Sequence, residues 1–415
     1  MVFLFYHKLK IAMSKNANFT GQPIFSQLLK FIPKEKINSI TKKRNSDYYV
    51  KTFSTYDHLV TMLYGSFHNC RSLREVVTGM MACHGKLQHL GLTNRPKRST
   101  LSDANKRRDS EVFEDIYSMF YRKYKACLSD SRPKGQLDKK LYIVDSTTIS
   151  LFQEILKNAG RNPANGKRKG GIKAHVLINA QEDVPCLVRM TKASASDTPF
   201  LQEIQLPKKS ILVFDKGYNS YSEFERLTNE GITWVSRKKS ISSVEIINSR
   251  TVDQQEQLNG VIKDEDIILG NTTNKNQKRI EARLITFYDG ITNRTFEFIT
   301  SNKRMKASTV AQLYQRRWQI ETLFKRLKQN NQLKDFLGDN ENAIRIQIWC
   351  TLIADLLLKI VQGKVKRKWS FANISSMIRI HLMSYTSLFS FLENPEKSIF
   401  HQNNLSGQLT LFSSS

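Results

Sequence analysis

Leu141-Tyr142-Ile143-Val144-Asp145-Ser146-Thr147 is where the character of the chain changes. Upstream, apolar residues recur at helical spacing. Here they run together and stop at an acid. A short apolar run bounded by polar residues reads as a buried strand. Similar runs follow at 172–178, 184–190, 211–214 and 233–236. A short helix fits 197–204, and Phe224 and Leu227 sit in another. Three strands, a helix, a strand, a helix and a strand predict an α/β core with a mixed sheet.

Upstream of this core, residues 14–135 read as a helical domain. Pro23 stands where a helix begins, with Ile24, Phe25, Leu28, Leu29 and Ile32 on one face and Pro33 as the stop. Another helix fits 56–67. Ser72-x-x-Glu75 has the form of a capping box before Val76, Val77 and Met80. Arg95-Pro96-Lys97-Arg98 is a basic breaker. After it, a helix capped at Thr100 or Ser102 runs through Val112, Ile116, Phe120 and Tyr124. A basic helical domain ahead of an enzyme core suits a reader of DNA ends, and equally a plain helical brace.

Downstream, residues 240–300 are polar and strand-like, with a turn at Asp289-Gly290. They read as a β insertion within a core spanning 136–340. One long helix is expected over 309–334. Two more fit 342–361 and 374–392, as C-terminal helices within 341–402, and 403–415 reads as a disordered Ser-rich tail.

Lys and Arg number 65 against 37 Asp and Glu, a formal charge of +28. Such an excess attracts polyanions. It is also clustered, with nine basic residues and one acid, Glu321, over 301–334. Clustering fits a track for phosphates better than a uniformly solvated surface. The 5 cysteines are scattered and odd in number, the pattern of a reducing compartment. His68, Cys70, Cys83 and His84 match no common zinc spacing, which leaves core cysteines as the expectation. The apolar stretch 346–361 is interrupted by Gln347, Asp355 and Lys359, so it reads as a buried helix and not a membrane span. The run 2–6 is too short for a signal-peptide core, and Met13 is a candidate start. These features predict a chain of the cytoplasm.

Asp145 and Asp215 each follow an apolar run. One Asp at a strand end is commonly a turn residue. Two, on strands that can be neighbours, suggest a shared site. A third acid comes from the long helix. At 3.6 residues per turn, Tyr314, Arg317, Glu321 and Lys328 fall within roughly 60° of one another. Leu313, Ile320, Leu323 and Leu327 take the opposite side. A solvated helix face usually mixes charges. Here one Glu stands among Arg316, Arg317, Lys325, Arg326 and Lys328, an arrangement that asks for an anionic ligand.

The chain resembles the DDE transposases of bacterial insertion sequences, of the IS-four type. Those carry Y-x-x-R-x-x-x-E-x-x-x-x-x-x-K on a helix, matched by Tyr314, Arg317, Glu321 and Lys328. They carry Asp-x-Thr after the first strand, matched by Asp145-Ser146-Thr147. They carry Asp-x-Gly-Tyr after the fourth, matched by Asp215-Lys216-Gly217-Tyr218. The resemblance covers about residues 140–340, insertion included. It implies an RNase H-like fold and cut-and-paste transposition. It implies Asp145, Asp215 and Glu321 as catalytic ligands of two Mg²⁺ ions, with Mn²⁺ able to substitute. Tyr314, Arg317 and Lys328 would contact phosphates, and Trp318 would stack on a base or sit in the core. Phe296 stands where one hairpin-forming relative has Trp, and Arg237 and Lys238 would line a DNA channel. The implied partners are double-stranded DNA, as inverted repeats and target, and a second copy in a synaptic homodimer. The rival readings are a nuclease or resolvase on the same fold and a non-catalytic DNA-binding protein. A strand-transfer assay separates the first, and the three intact acids argue against the second.

Overall fold

The computed structural model describes residues 21–129 other than 93 and 95, then 140–150, 160–161, 169–270, 278–330 and 336–397. The candidate start at Met13, the run 2–6 and the tail from 403 lie outside these residues. The chain divides into two compact units, one running to Arg122 and resuming at Asn330, the other Lys123–Gln329.

The first unit is helical. It opens with α1 (Ile24–Leu29), α2 (Lys34–Lys43), α3 (Thr55–His68) and α4 (Leu73–Ala82). After a 3-10 turn at His84–Leu90 come α5 (Arg98–Arg107) and α6 (Glu111–Ser129). The apolar face read before Pro33 is buried throughout. The reciprocal capping box lies at Ser54 and Asp57, ahead of α3. At α4 only half of one forms: Ser72 accepts from the Glu75 N–H, while the Glu75 carboxylate takes the Arg71 N–H.

The single helix expected over Val112–Tyr124 with a cap at Thr100 or Ser102 is instead α6, and a separate α5 precedes it. Arg108 breaks the path because its backbone is extended and its guanidinium turns inward. There it donates to His58 Nδ1 at 3.0 Å and to the Phe53 carbonyl at 2.9 Å. Asn342 closes the gap from the far end of the sequence. Its amide donates to the Asn105 and Arg108 carbonyls, and its oxygen accepts from the Ser110 N–H.

The second unit is built on a sheet. In chain order its strands are β1 (Leu141–Ser150), β2 (Gly160–Arg161), β3 (Lys169–Asn179), β4 (Pro185–Lys192), β5 (Ile211–Phe214) and β6 (Thr233–Arg237). They continue as β7 (Val244–Ser249), β8 (Val261–Leu269), β9 (Ile280–Asp289) and β10 (Arg294–Thr300). Helices α7 (Pro199–Gln202), α8 (Tyr221–Asn229) and α9 (Gln254–Leu258) lie between them, and α10 (Ala307–Gln315) and α11 (Trp318–Asn330) follow.

β4, β3 and β1 form an antiparallel meander, and β5 then β6 pair parallel beyond β1. That order, third-second-first-fourth-fifth among the long strands, is the RNase H-like arrangement expected from the sequence. β5 and the centre of β6 are buried on both faces, as parallel strands covered by helices must be. Phe224 of α8 stacks flat on Trp234 of β6, with ring centroids 4.1 Å apart.

The insertion continues this sheet. β10 pairs antiparallel with β6, and β9, β8 and β7 follow outward. Ile267, Leu269, Ile280, Ala282 and Leu284 join the same hydrophobic cluster as Phe214, Phe224 and Trp234.

The long helix expected over 309–334 is two helices. Around Arg316 and Arg317 the backbone tightens to three-residue bonds, Arg317 N–H to Tyr314 O and Ile320 N–H to Arg317 O. Leu313, Ile320, Leu323 and Leu327 are buried as read.

The chain then returns to the first unit as α12 (Glu341–Lys364), α13 (Phe371–His381) and α14 (Leu388–Glu393). The one helix expected over 374–392 is interrupted because carbonyls in the turn are needed elsewhere. Leu382 O and Ser384 O accept the first N–H groups of α1. Among the described residues no helix is long and apolar enough to cross a membrane.

Candidate active site

The β1–β5 register brings the two aspartates together. The last parallel pair is Val144 with Phe214, so Asp145 and Asp215 are the next residue on each strand. Asp145 is not a strand end, as the sequence suggested. β1 runs on to Ser150 against β3, and only its pairing with β5 stops. At that point one edge of β1 opens beside the carboxylate. Gly217 has no left-handed backbone. Its small size matters instead, since a Cβ there would meet Asp197 Oδ2 at 3.2 Å.

The third acid arrives on α11, and Arg317 joins it to the first. Arg317 donates from one terminal nitrogen to Asp145 Oδ2 and from the other to Glu321 Oε1, both at 2.6 Å. Its Nε is buried with no hydrogen-bond partner in the protein. Tyr314 donates to Asp215 Oδ1 at 3.1 Å, and Lys328 donates to Thr147 Oγ1 at 2.7 Å. Tyr314, Arg317 and Lys328 therefore reach Asp215, Asp145 and Thr147 directly, and Glu321 is tied in through Arg317, despite the break between α10 and α11.

Burial pushes the Asp145 carboxyl up to about 6, and the charge of Asp215 adds to the rise; Arg317 and the Ser146 N–H oppose it. Burial also raises the Tyr314 phenol, with Asp215 adding. Burial lowers the Lys328 ammonium. At Asp145 burial thus outweighs the one guanidinium, which is shared with Glu321.

Among the described residues no three His, Cys, Asp or Glu side chains are gathered closely enough to hold a metal ion. This covers His68, Cys70, Cys83 and His84 as well as the acids. Glu321 reaches the aspartates only through Arg317. The donor set still suits a hard divalent cation: carboxylate oxygens, one destabilised by burial beside another.

Buried anchors fix the helices that carry this set. Glu256 of α9 accepts from both the Ser308 N–H and its hydroxyl at 2.7 Å, capping α10. Arg326 of α11 donates to the carboxylate and carbonyl of Asp183 at 3.0 Å.

Trp318 is 65% exposed, which removes the core reading of this residue. Phe296 lies inside β10, half exposed, stacked on Phe298, with the Arg237 guanidinium 5.8 Å from its ring centre. Phe298 in turn packs on Tyr314 at 4.9 Å. Lys238 is paired with Glu297 at 2.7 Å.

One group beneath the acids had no place in the sequence-based set. Asp197 accepts from the Ser146 hydroxyl at 3.2 Å and from Lys173 at 3.1 Å. His175, with its imidazole lowered to about 4 by burial, bridges Tyr218 and Thr191. The signal was present: Lys173 and His175 are two apart on an otherwise apolar strand, so they share a face.

Residues 136–357 match the family described as transposase DDE domain. The chain belongs to that family. It is therefore a transposase, an enzyme that cuts DNA and transfers strands, and membership implies divalent-metal chemistry. Residues 20–93 match a domain of unknown function (DUF4372). The transposase is 29% identical over 275 residues to a putative transposase, y4zB, of Sinorhizobium fredii, covering 64% of this chain and 71% of that one. It is 25% identical to a probable transposase for insertion sequence element IS5377 of Geobacillus stearothermophilus, over 65% of this chain and 68% of that one. It is 26% identical to a putative transposase for insertion sequence element IS4SA of Synechocystis, over 63% and 71%. Among solved structures, a piggyBac transposase synaptic complex with hairpin DNA aligns with a TM-score of 0.42 and 11% identity, covering 94% of this chain and 86% of that one.

Proposed function

We propose that this transposase is of the IS-four type and moves its insertion sequence by cut-and-paste, with Asp145, Asp215 and Glu321 as ligands of two Mg²⁺ ions. The observation that carries the reading is the meeting of Asp145 and Asp215 at the end of a parallel register, with Glu321 joined to Asp145 by one arginine. When bound, the two ions, or Mn²⁺ in their place, supply activation of the attacking oxygen and stabilisation of the leaving one. Asp145 and Asp215 would hold them from the sheet, and Glu321 would complete the set from α11.

Water is the first nucleophile and frees a 3′-hydroxyl at the element end. That hydroxyl then attacks target DNA. Arg317 exchanges its carboxylates for a phosphate oxygen as DNA enters, and Tyr314 and Lys328 contact neighbouring phosphates. Lys328 is half exposed, and its hydrogen bond to a neutral hydroxyl is easily traded. The exposed ring of Trp318 and the half-exposed ring of Phe296 offer faces for an unstacked base at the cleaved end. Arg237 lies beside Phe296 and lines the same channel. Lys238 joins it only after leaving Glu297. The helical segment up to residue 135 reads element ends, and two copies pair them, acting at the nucleoid.

Glu321→Gln tests the assignment. The variant keeps duplex binding and loses strand cleavage by about three orders of magnitude or more, the scale on which removing one essential catalytic group acts. Wild-type cleavage by a purified Glu321→Gln enzyme removes Glu321 from the metal set.

A further inference from the structure

The turn between α2 and α3 presents an aromatic pair to solvent. Tyr48 is 71% exposed and Tyr49 87%. Their rings lie 4.2 Å apart, and the Tyr48 hydroxyl donates to that of Tyr49 at 3.4 Å. Tyr49 has φ of 60°, in the left-handed region that a bulky side chain rarely adopts. Both rings stand largely in solvent, so burial in a core does not explain the strain. Strain held at an exposed site points to a function for what it displays.

The base of the turn is rigid. Asp47 accepts from the Thr55 N–H and hydroxyl at 2.8 Å and from buried Arg108 at 3.1 Å. Ser46 and Thr55 share a hydroxyl hydrogen bond at 2.7 Å, and Phe53 is buried just beyond. Asp47 is the only acid between Lys36 and Phe53, and Arg108 answers its charge. Arg44 is held by Glu111 and Asp115. Lys42, Lys43 and Lys51 are exposed and lie within seven residues of the pair along the chain. A protein-binding patch of tyrosines would be poor in lysine at its centre. Exposed aromatic faces flanked in the chain by exposed lysines match a nucleic-acid contact, in which the rings meet bases or sugars and the ammonium groups meet phosphates.

We infer that residues 42–51 form a DNA contact, with Tyr48 and Tyr49 packing against the opened face of a duplex and Lys42, Lys43 and Lys51 holding its backbone. This deepens, and rests on, the reading of the N-terminal helices as the part that binds element ends.

The test is fluorescence anisotropy with a fluorescein-labelled duplex of mixed sequence carrying a short single-stranded end, using the full chain. The double variant Tyr48→Ala/Tyr49→Ala is expected to bind about ten-fold more weakly, on the scale of losing base–aromatic stacking. Tyr48→Phe/Tyr49→Phe keeps the rings and is expected to bind within about two-fold of wild type. Tyr49→Gly guards against a folding artefact: it relieves the left-handed strain, so its melting midpoint is no lower than wild type while its DNA affinity falls. Wild-type affinity in both the double variant and Tyr49→Gly overturns the inference. So does unchanged DNA binding with altered self-association by light scattering, which would assign the rings to a protein contact. The readout is binding alone, so either result leaves the role of Glu321 standing, and a failure of the Glu321→Gln test leaves the tyrosine result interpretable.

Discussion

Two arginines in the sheet unit answer buried carboxylates, and they do so in opposite ways. Arg283 of β9 meets Asp264 of β8 through two parallel bonds of 2.7 and 2.6 Å, and gives its remaining nitrogen to the Asn302 and Met305 carbonyls. All three of its nitrogens are used, and it closes the insertion onto the loop before α10. Arg317 also makes two short ion pairs, but to carboxylates on different elements, one bond each, with Nε unsatisfied. A bidentate pair with every nitrogen engaged is an architectural clasp. A guanidinium stretched between two acids with a donor to spare is poised for exchange. On the proposed function, the difference separates a charge that holds the fold from a charge that waits for a ligand.

The sharpest way to break that contrast is to remove each arginine. Arg283→Ala leaves Asp264 buried and uncompensated, and is expected to cost about 3–5 kcal/mol in urea unfolding. Arg317→Ala is expected to cost clearly less, because Asp145, already near 6, takes up a proton at neutral pH. It abolishes DNA cleavage all the same. Equal stability losses would erase the distinction.

A milder blow falls on a third buried arginine, Arg108, through its partner His58. Burial first, and Arg108 second, hold the His58 imidazole down to about 3. The unfolded chain takes up that proton near 6.5, so the stability is present above 6.5 and is lost as pH falls toward 3. From pH 7 to 5 the loss is roughly 2 kcal/mol. His58→Gln is expected to flatten that part of the slope in thermal melts, while His175 keeps a share of its own. A slope unaltered by the substitution would show that His58 is not held neutral.

The smallest effect bears on the metal. Mg²⁺ at about ten times its dissociation constant is expected to stabilise the wild-type fold by about 1.4 kcal/mol, reversed by a chelator. Arg317→Ala should gain more, since a competing cation is gone. An equal gain in Asp145→Asn would place the ion elsewhere.

Much of this was legible in the chain because local pattern and fold agree. Ile211-Leu212-Val213-Phe214 can only be a buried strand, and its acid lands beside Asp145 once the strands pair. The insertion's strands were visible, but not their docking on β6, since pairing partners are set by distant residues. The break at Arg316 and Arg317 was hidden for a related reason. Both halves of the helix keep their apolar stripe, and only the backbone between them tightens. Asp197 had no place in the set read from the sequence. Its place beside Ser146 depends on a loop whose path no periodicity reports.

Asn342 has a consequence for how the molecule is made. It completes the joint between α5 and α6 from 237 residues beyond Asn105. At roughly 5–20 residues per second, a ribosome needs on the order of ten to fifty seconds to cover that stretch. The early helices therefore wait, with the apolar side of α3 uncovered, while the whole sheet emerges and folds. A message broken before α12 yields a finished sheet tethered to an unfinished bundle, and such a product is ready prey for proteolysis.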